Sequence, residues 1–443
     1  MKNNQVFFWS IVVALGGFLF GFDTAVISGA EIAIQEYWKL SVFEHGLTVS
    51  IALIGTVFGA LFGGIPSDKI GRKKTLFWIA ILYFVSAIGS ALAPEWISFL
   101  ILRFIGGLGV GASSVAAPLY ISEIAPAHSR GKLVALFQFN IVFGILIAYL
   151  SNYLIGGNLP NDWRWMLGVE TIPALLFMIF VLKVPESPRW LIVKKGRTEE
   201  ARETLRIANP GVDVNVIVND IINSVHRDST SSKTYFFSRQ YSLPITLALL
   251  FAFFNQLSGI NAIIYYAPRI FEMAGLGRSS ALLSSAGVGL VNFIFTLLAL
   301  NFIDRFGRRT LMLIGSFGLI ATLALVSRAF YIQDFGNFSV PIFLFVYIAF
   351  FAFSQGAVIW VFISEIFPNQ VRAYGQSLGS FTHWFMAAVI AFTFPYIAET
   401  LGGGTTFLIF TVMMVFQLIF VWLMMPETKG TSLEQLEKKI VHA

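Results

Sequence analysis

Cysteine is absent from the 443 residues, which excludes disulfides, thiolate nucleophiles and cysteine metal sites and leaves the redox compartment unmarked. The five histidines, His45, His128, His226, His383 and His442, show no metal-ligand spacing, and no Ser/His/Asp constellation marks an enzyme. No catalytic residue, metal or cofactor is expected. Charge is scarce too, with Asp, Glu, Lys and Arg making up 12% of the chain. Instead, 56% of the residues are hydrophobic and 16% aromatic, and the mean hydropathy is +0.76. No soluble domain of this length tolerates that composition at its surface, so a polytopic membrane protein is predicted. The net charge of +6 does not point to nucleic acid, because the basic residues sit in short loops between apolar runs, where they set topology.

Windows long enough to span a bilayer begin near Phe7 and recur about twelve times, the last two near Gly375 and Thr405. The opening MKNNQVFFWSIVVALGG could pass for a signal peptide, but the apolar run continues past Asp23 to Gly29 without a cleavage site and reads as the first membrane helix. Basic residues load alternate loops: Lys69, Arg72, Lys73 and Lys74; Arg130 and Lys132; Arg305, Arg308 and Arg309; ten from Lys183 to Arg239; and Lys429, Lys438 and Lys439. The opposite loops hold few, among them Lys39 and Arg278, so the loaded side and both termini are expected in the cytoplasm. Short outer loops favour a bacterial inner membrane, although Asn337-Phe338-Ser339 is a formal glycosylation triplet.

The only soluble stretch of any size runs from Lys183 to Tyr241. Thr198 is expected to cap a helix ending at Asn209-Pro210-Gly211, and Asp213 a second with Val214, Ile217, Val218, Ile221, Ile222 and Val225 on one face. Around this linker the chain repeats. Asp68, Gly71, Arg72 and Lys73 recur as Asp304, Gly307, Arg308 and Arg309; Ser122, Glu123, Pro126 and Arg130 as Ser364, Glu365, Pro368 and Arg372; Pro185 and Glu186 as Pro426 and Glu427. Three anchors in one order, each roughly 240 residues on, indicate a duplicated six-helix unit, as in secondary transporters with substrate held at the midplane between repeats. The domains expected are 1–182 and 242–425, with a cytoplasmic helical linker over 183–241 and a tail over 426–443.

One span, FAFFNQLSGINAIIYYAP from Phe251 to Pro268, carries Asn255, Gln256 and Asn261 at its middle. Amides facing hydrocarbon leave donors and acceptors unpaired, so these face a polar cavity or a ligand, or bond a neighbouring helix. On a straight helix Asn261 would point more than about 100° away from the other two, and Gly259 offers a break that lets them converge. Amides beside Tyr265 and Tyr266 suit a neutral polyhydroxyl compound, whose hydroxyls donate and accept while its C–H faces stack on rings.

Several motifs carry a family resemblance. They are Gly64, Asp68, Lys69, Gly71, Arg72 and Lys73 in one loop, Arg103-x-x-Gly106-Gly107, Pro185 to Leu191, Gln256 to Asn261, and Pro426 to Gly430. On these the chain resembles the sugar porters of the major facilitator superfamily over essentially its whole length, with a pattern most like the bacterial xylose/proton symporter branch. The resemblance implies an all-α membrane protein with twelve transmembrane helices in two six-helix halves and short cytoplasmic helices. It also implies sugar ligands at Gln138, Gln256, Asn261, Asn292 and Trp360, with Trp384 as a second site tryptophan. Asn255 replaces the first glutamine of a usual pair, His383 stands where an amide is expected, and Ala357 stands where a hinge proline is usual.

Asp68, Arg72, Glu123 and Arg130, with Asp304, Arg308, Glu365 and Arg372, lie at the loaded helix ends. There, opposite charges can pair across helices and part when the inside opens, the use the family makes of them. Solvated topology signals explain the arginines without the carboxylates. Within the membrane stand Asp23, Arg103 and Glu170, and intramembrane charges are usually paired and functional. An ionised Asp23 can pair with Arg103, and when the pair separates a bare buried carboxylate binds a proton; Glu170 could relay it. The function expected is import of a monosaccharide, hexose or pentose, by proton symport with alternating access, in a monomeric chain whose partners are sugar, proton and bilayer. The rival is a sugar facilitator, and Asp23 discriminates because family facilitators lack that carboxylate. A transporter-like sensor would need a long signalling tail, and the chain ends soon after Pro426.

Overall fold

The computed structural model describes residues 3–126, 129–230, 235–336, 339–368 and 370–431, with side chains described except at 3–4, 224–230, 300–301 and 304. His128, His442, Lys438, Lys439 and most of the Asn337-Phe338-Ser339 triplet lie outside the described residues, as do the side chains of His226, Val225 and Asp304.

Every described element is a helix. The first run comprises α1 (Asn3–Trp38), α2 (Val42–Phe62), α3 (Gly64–Ile70), α4 (Arg72–Leu92), α5 (Trp96–Ile124), α6 (Arg130–Ile155), α7 (Asp162–Gly168) and α8 (Thr171–Val181). The linker holds α9 (Pro188–Trp190), α10 (Thr198–Ala208) and α11 (Val214–Thr230). The second run comprises α12 (Ser242–Leu257), α13 (Ile260–Met273), α14 (Arg278–Phe306), α15 (Arg308–Ile332), α16 (Ser339–Phe353), α17 (Gln355–Glu365) and α18 (Arg372–Leu423). Among the described residues eleven helical stretches are long and apolar enough to cross a membrane. The longest, α18, contains Gly402 at φ 75° and ψ 162°, a kink that divides its 52 residues into two spans. Twelve crossings result among the described residues. Large apolar side chains such as Trp78, Leu92, Trp422 and Leu423 remain exposed along them, where lipid replaces water as solvent.

The duplication seen in sequence is repeated in backbone conformation. Gly71 sits between α3 and α4 at φ 102°, ψ 160°, and Gly307 between α14 and α15 at φ 90°, ψ 158°. A Cβ at Gly71 would collide with Glu186 Oε2, and one at Gly307 would stand 2.5 Å from Glu427 Oε2. Both the torsion and the space therefore demand glycine. Without the usual hinge proline, a break still separates α16 from α17, at Ser354 (φ −114°, ψ −90°). There the Ser354 hydroxyl bonds back to Phe350 O at 2.6 Å. Next to it Gln355 is drawn into a buried chain with Gln417 (2.7 Å), which in turn donates to Ser316 (3.0 Å).

In the linker, Asp213 caps α11 by accepting the Asn215 N–H at 2.9 Å. Thr198 does not cap α10: Arg197 occupies the cap without a capping side-chain hydrogen bond, its guanidinium pairing instead with Glu200 at 3.5 Å, and Thr198 is the first helical residue. Val214 and Val218 pack with Trp190, Leu191, Ala201 and Leu205, flanked by Ile217 and Ile221, whereas Ile222 is exposed because it falls off that stripe.

By internal contacts the chain forms two compact units. The first holds residues 1–23, 55–145 and 167–233, and the second 24–54, 146–166 and 234–443, so α1, α2, α6 and α7 contribute to both.

Candidate functional site

The polar span of the second unit breaks where glycine permits it. Between α12 and α13, Gly259 adopts φ 84°, ψ 11°, and a Cβ there would lie 2.6 Å from the Phe410 ring. Across this break Asn261 Nδ2 donates to Gln256 Oε1 at 2.5 Å. Gln256 Nε2 donates to Asn255 Oδ1 at 2.9 Å and lies 3.1 Å from His383 Nδ1, so its two hydrogens are both engaged. His383 Nε2 stands 3.3 Å from the same amide nitrogen, and a neutral imidazole offers it one accepting nitrogen. The His383 ring in turn packs 4.9 Å from the ring of Trp360 and 4.8 Å from that of Trp384. Gln256 is thus the hub of a cluster of six residues from α12, α13, α17 and α18. Asn255 Nδ2 is buried without a hydrogen-bond partner among the described residues, a free donor within the cluster.

Asn292 and Gln138 make no hydrogen bond to this hub among the described residues. Asn292 on α14 is buried, with Oδ1 3.5 Å from Thr296 Oγ1. Gln138 on α6 is half-buried in the first unit. Trp360 is 38% exposed and Trp384 buried, so the indole on α17 has an open edge that the one on α18 lacks. Tyr265 and Tyr266 are wholly buried; Tyr266 packs on Phe394 with ring centroids 4.9 Å apart and donates to Ala391 O at 2.7 Å, a structural use of a residue expected to stack on ligand.

In the first unit the intramembrane charges meet. Arg103 of α5 donates through Nη1 to Asp23 Oδ1 of α1 and through Nη2 to Asp23 O at 3.3 Å, with both side chains almost fully buried. Glu170, at the start of α8, is buried within electrostatic range of both. Tyr83 of α4, whose hydroxyl lies 3.4 Å from Gly16 O, shares the same surroundings.

At the basic helix ends each repeat builds its own ion cluster. Arg72 binds Glu123 bidentately at 2.9 and 3.0 Å and Asp68 at 3.1 Å. Arg308 binds Glu365 at 2.8 Å. Arg130 is exposed, and Arg372 donates to Phe367 O at 3.3 Å. The second carboxylates, Glu186 and Glu427, stand in the repeated Pro-Glu pairs. Glu186 accepts the N–H groups of Arg72 and Lys73 at 2.9 and 3.1 Å, and Glu427 those of Arg308 and Arg309 at 2.9 and 3.0 Å. Each carboxylate caps a membrane helix from a distant loop, where the helix dipole favours negative charge. Ser187 and Thr428 then donate to Glu123 and Glu365 at 2.5 and 2.6 Å. Burial pushes the Glu186 carboxyl above the ordinary carboxylate range, opposed by the three backbone N–H donors and the Arg72 charge.

Sequence reasoning missed Glu31, His45 and Arg269, which meet inside the membrane spans of the second unit. The available signal was an acid in the apolar run after Asp23 and a base after Pro268, since ionisable residues in spans are functional by default.

Residues 9–439 match the model of the sugar (and other) transporter family. The chain is 37% identical over 475 residues to the D-xylose-proton symporter of Escherichia coli, covering 98% of this chain and 96% of that protein. It is likewise 37% identical over 448 residues to the glucose transport protein of Synechocystis sp., covering 96% and 95%. Among solved structures, the inward open conformation of the E. coli xylose transporter XylE superposes with a TM-score of 0.88 at 35% identity, covering 98% of this chain and all of that one.

Proposed function

This chain belongs to the sugar transporter family and has the major facilitator fold, and from that premise we propose that it imports a monosaccharide by proton symport. The observation that carries the coupling is the buried Asp23–Arg103 pair. A proton moving down about 100 mV releases roughly 2.3 kcal/mol, which supports a sugar gradient of some fortyfold before any pH gradient is counted. The ionised Asp23 holds Arg103; separation of the pair lets the carboxylate take a proton, with Glu170 placed to relay it. The sequence halves 1–182 and 242–425 alternate access, and the Arg72–Glu123 and Arg308–Glu365 clusters act as the cytoplasmic gate, with both termini on the cytoplasmic side of a bacterial inner membrane. The sugar ligands are the Gln256 hub with Asn255, Asn261, His383, Trp360 and Trp384, joined by Gln138 and Asn292. A facilitator without coupling is the alternative; the Asp23 carboxylate favours symport. Uptake of labelled xylose, glucose, galactose and arabinose, with and without a protonophore, tests the proposal. At least one sugar should accumulate, and accumulation should collapse with protonophore; saturable uptake indifferent to protonophore would leave the facilitator.

Two substitutions follow from the hub. Gln256→Ala removes the acceptor for Asn261 and the donor for Asn255 and His383, and leaves hydroxyls of a bound sugar unpaired. At about 1–3 kcal/mol, the affinity for the best-transported sugar should fall roughly five- to a hundredfold in a binding titration, and an unchanged affinity refutes the assignment. His383→Gln keeps one donor and one acceptor but removes the ring that contacts both tryptophans. Transport should persist with the sugars re-ranked in a competition assay, and an identical ranking would assign His383 to packing alone.

A further inference from the structure

A second buried charge cluster lies in the second unit, far along α1 from Asp23. Glu31 of α1 has a fully buried side chain, and two residues converge on it. His45 of α2, equally buried, places Nε2 2.6 Å from Glu31 Oε2. Arg269 of α13 grips the carboxylate through Nε at 2.9 Å and Nη2 at 2.8 Å, and its Nη2 also donates to Gln35 Oε1 at 2.6 Å. The Tyr266 ring stands edge-on to His45 at 5.9 Å, and its hydroxyl ties α13 to α18. Glu272 and Glu36 are the remaining charges nearby. The same seam is held by Tyr149 of α6, which donates to Ile264 O at 2.6 Å, and by Asn152, which donates to Val26 O at 3.0 Å.

Three features distinguish this cluster from fixed packing. The carboxylate and imidazole come from the first sequence half and the guanidinium from the second, the two repeats that alternating access moves against each other. Arg269 follows a kink: Tyr266 has non-helical φ −125°, ψ 20°, and Pro268 lies inside α13, so the end of the helix that carries Arg269 has its own hinge. The Arg269 side chain is 24% exposed, so water reaches the cation when the pair parts.

We propose that Glu31, His45 and Arg269 form a latch that holds the outer ends of α1, α2 and α13 together, on the side whose loops hold few basic residues, and that its release opens the outward path to the sugar site. The proposal rests on the alternating-access reading, and on neither proton coupling nor the identity of the sugar. Glu31 is the shared acceptor, so its loss frees both partners at once, whereas loss of Arg269 leaves a buried carboxylate with only the imidazole.

The absence of native cysteine makes the test direct. Ile264→Cys, placed between Asn261 and Arg269 at the α6–α13 seam, reports opening of the outer end. Ser377→Cys, exposed two turns toward the basic end from Trp384 on the same face of α18, reports the inner end. Labelling of the purified full-length protein in nanodiscs with a hydrophilic maleimide is followed for each reporter in the parent and in Glu31→Gln, Arg269→Gln and the combined background. Release of the latch raises the labelling rate of the outer reporter about tenfold or more and lowers that of the inner reporter, and the combined background adds little to either single change. Arg269→Lys, which keeps the charge and loses the fork, falls between parent and Arg269→Gln. An unchanged outer rate in both single variants overturns the latch. So does a parallel rise at both positions, which reports a loosened fold, or a rise at the outer position with the inner one unmoved, which reports local fraying. No proton gradient enters the readout, so failure of symport leaves this result standing.

Discussion

Asp23→Asn abolishes proton-driven accumulation while sugar exchange survives. Asn keeps the shape and one acceptor of Asp23 but carries no charge to hold Arg103 and no site for a proton, so it imitates the protonated state permanently. The coupling step alone is removed, because the sugar hub of Gln256, Asn261 and His383 lies in the other unit and shares no hydrogen bond with Asp23 among the described residues. In proteoliposomes the accumulation ratio should drop from tens at about 100 mV to about one, with counterflow of labelled sugar retained. Uphill uptake by the variant that still collapses with protonophore would remove Asp23 from the coupling.

Gly259→Ala should weaken sugar binding more than tenfold. A non-glycine residue held in the left-handed region costs about 1–2 kcal/mol. The added carbon also meets the Phe410 ring at 2.6 Å, and overpacking of this kind costs about 1–3 kcal/mol more. The strain is relieved by shifting α13 against α12, which pulls Asn261 off Gln256 and dismantles the hub. Gly275→Ala is the control: it shares the positive φ, at 83°, but has nothing within 4 Å of the new carbon. Its affinity should match the parent, and equal losses in both variants would show that backbone strain, not the hub, sets the effect. Isothermal titration with the best-transported sugar measures the difference.

The elements that sequence made legible are those encoded by local chemistry. Gly259 in a span with three amides forecast both the break and the meeting of Asn261 with Gln256. The repeated Asp-x-x-Gly-Arg loop forecast two alike corners, and Gly71 and Gly307 share a conformation. What stayed hidden depends on partners far away in the chain. Glu31 and Arg269 each stand out only as a charge in an apolar run, and only the packing of α1 on α13 makes them a pair. Glu186 marks a repeat in sequence, and only the fold brings it to the N-terminus of α4. Ser354 breaks a helix without the expected proline because a buried glutamine chain captures the residue beside it. Thr198 had the right residue type for a cap, but the helix begins one residue earlier than that type suggests, within the ordinary slippage of helix ends.

Proton symport is tested most directly by the parent protein in proteoliposomes loaded with sugar and buffered without a pH difference. An outward sugar gradient should drive measurable proton efflux, read by an internal pH dye, and the efflux should vanish in Asp23→Asn while sugar efflux continues. Sugar leaving the parent vesicles with no change in internal pH would contradict coupling and identify the chain as a facilitator.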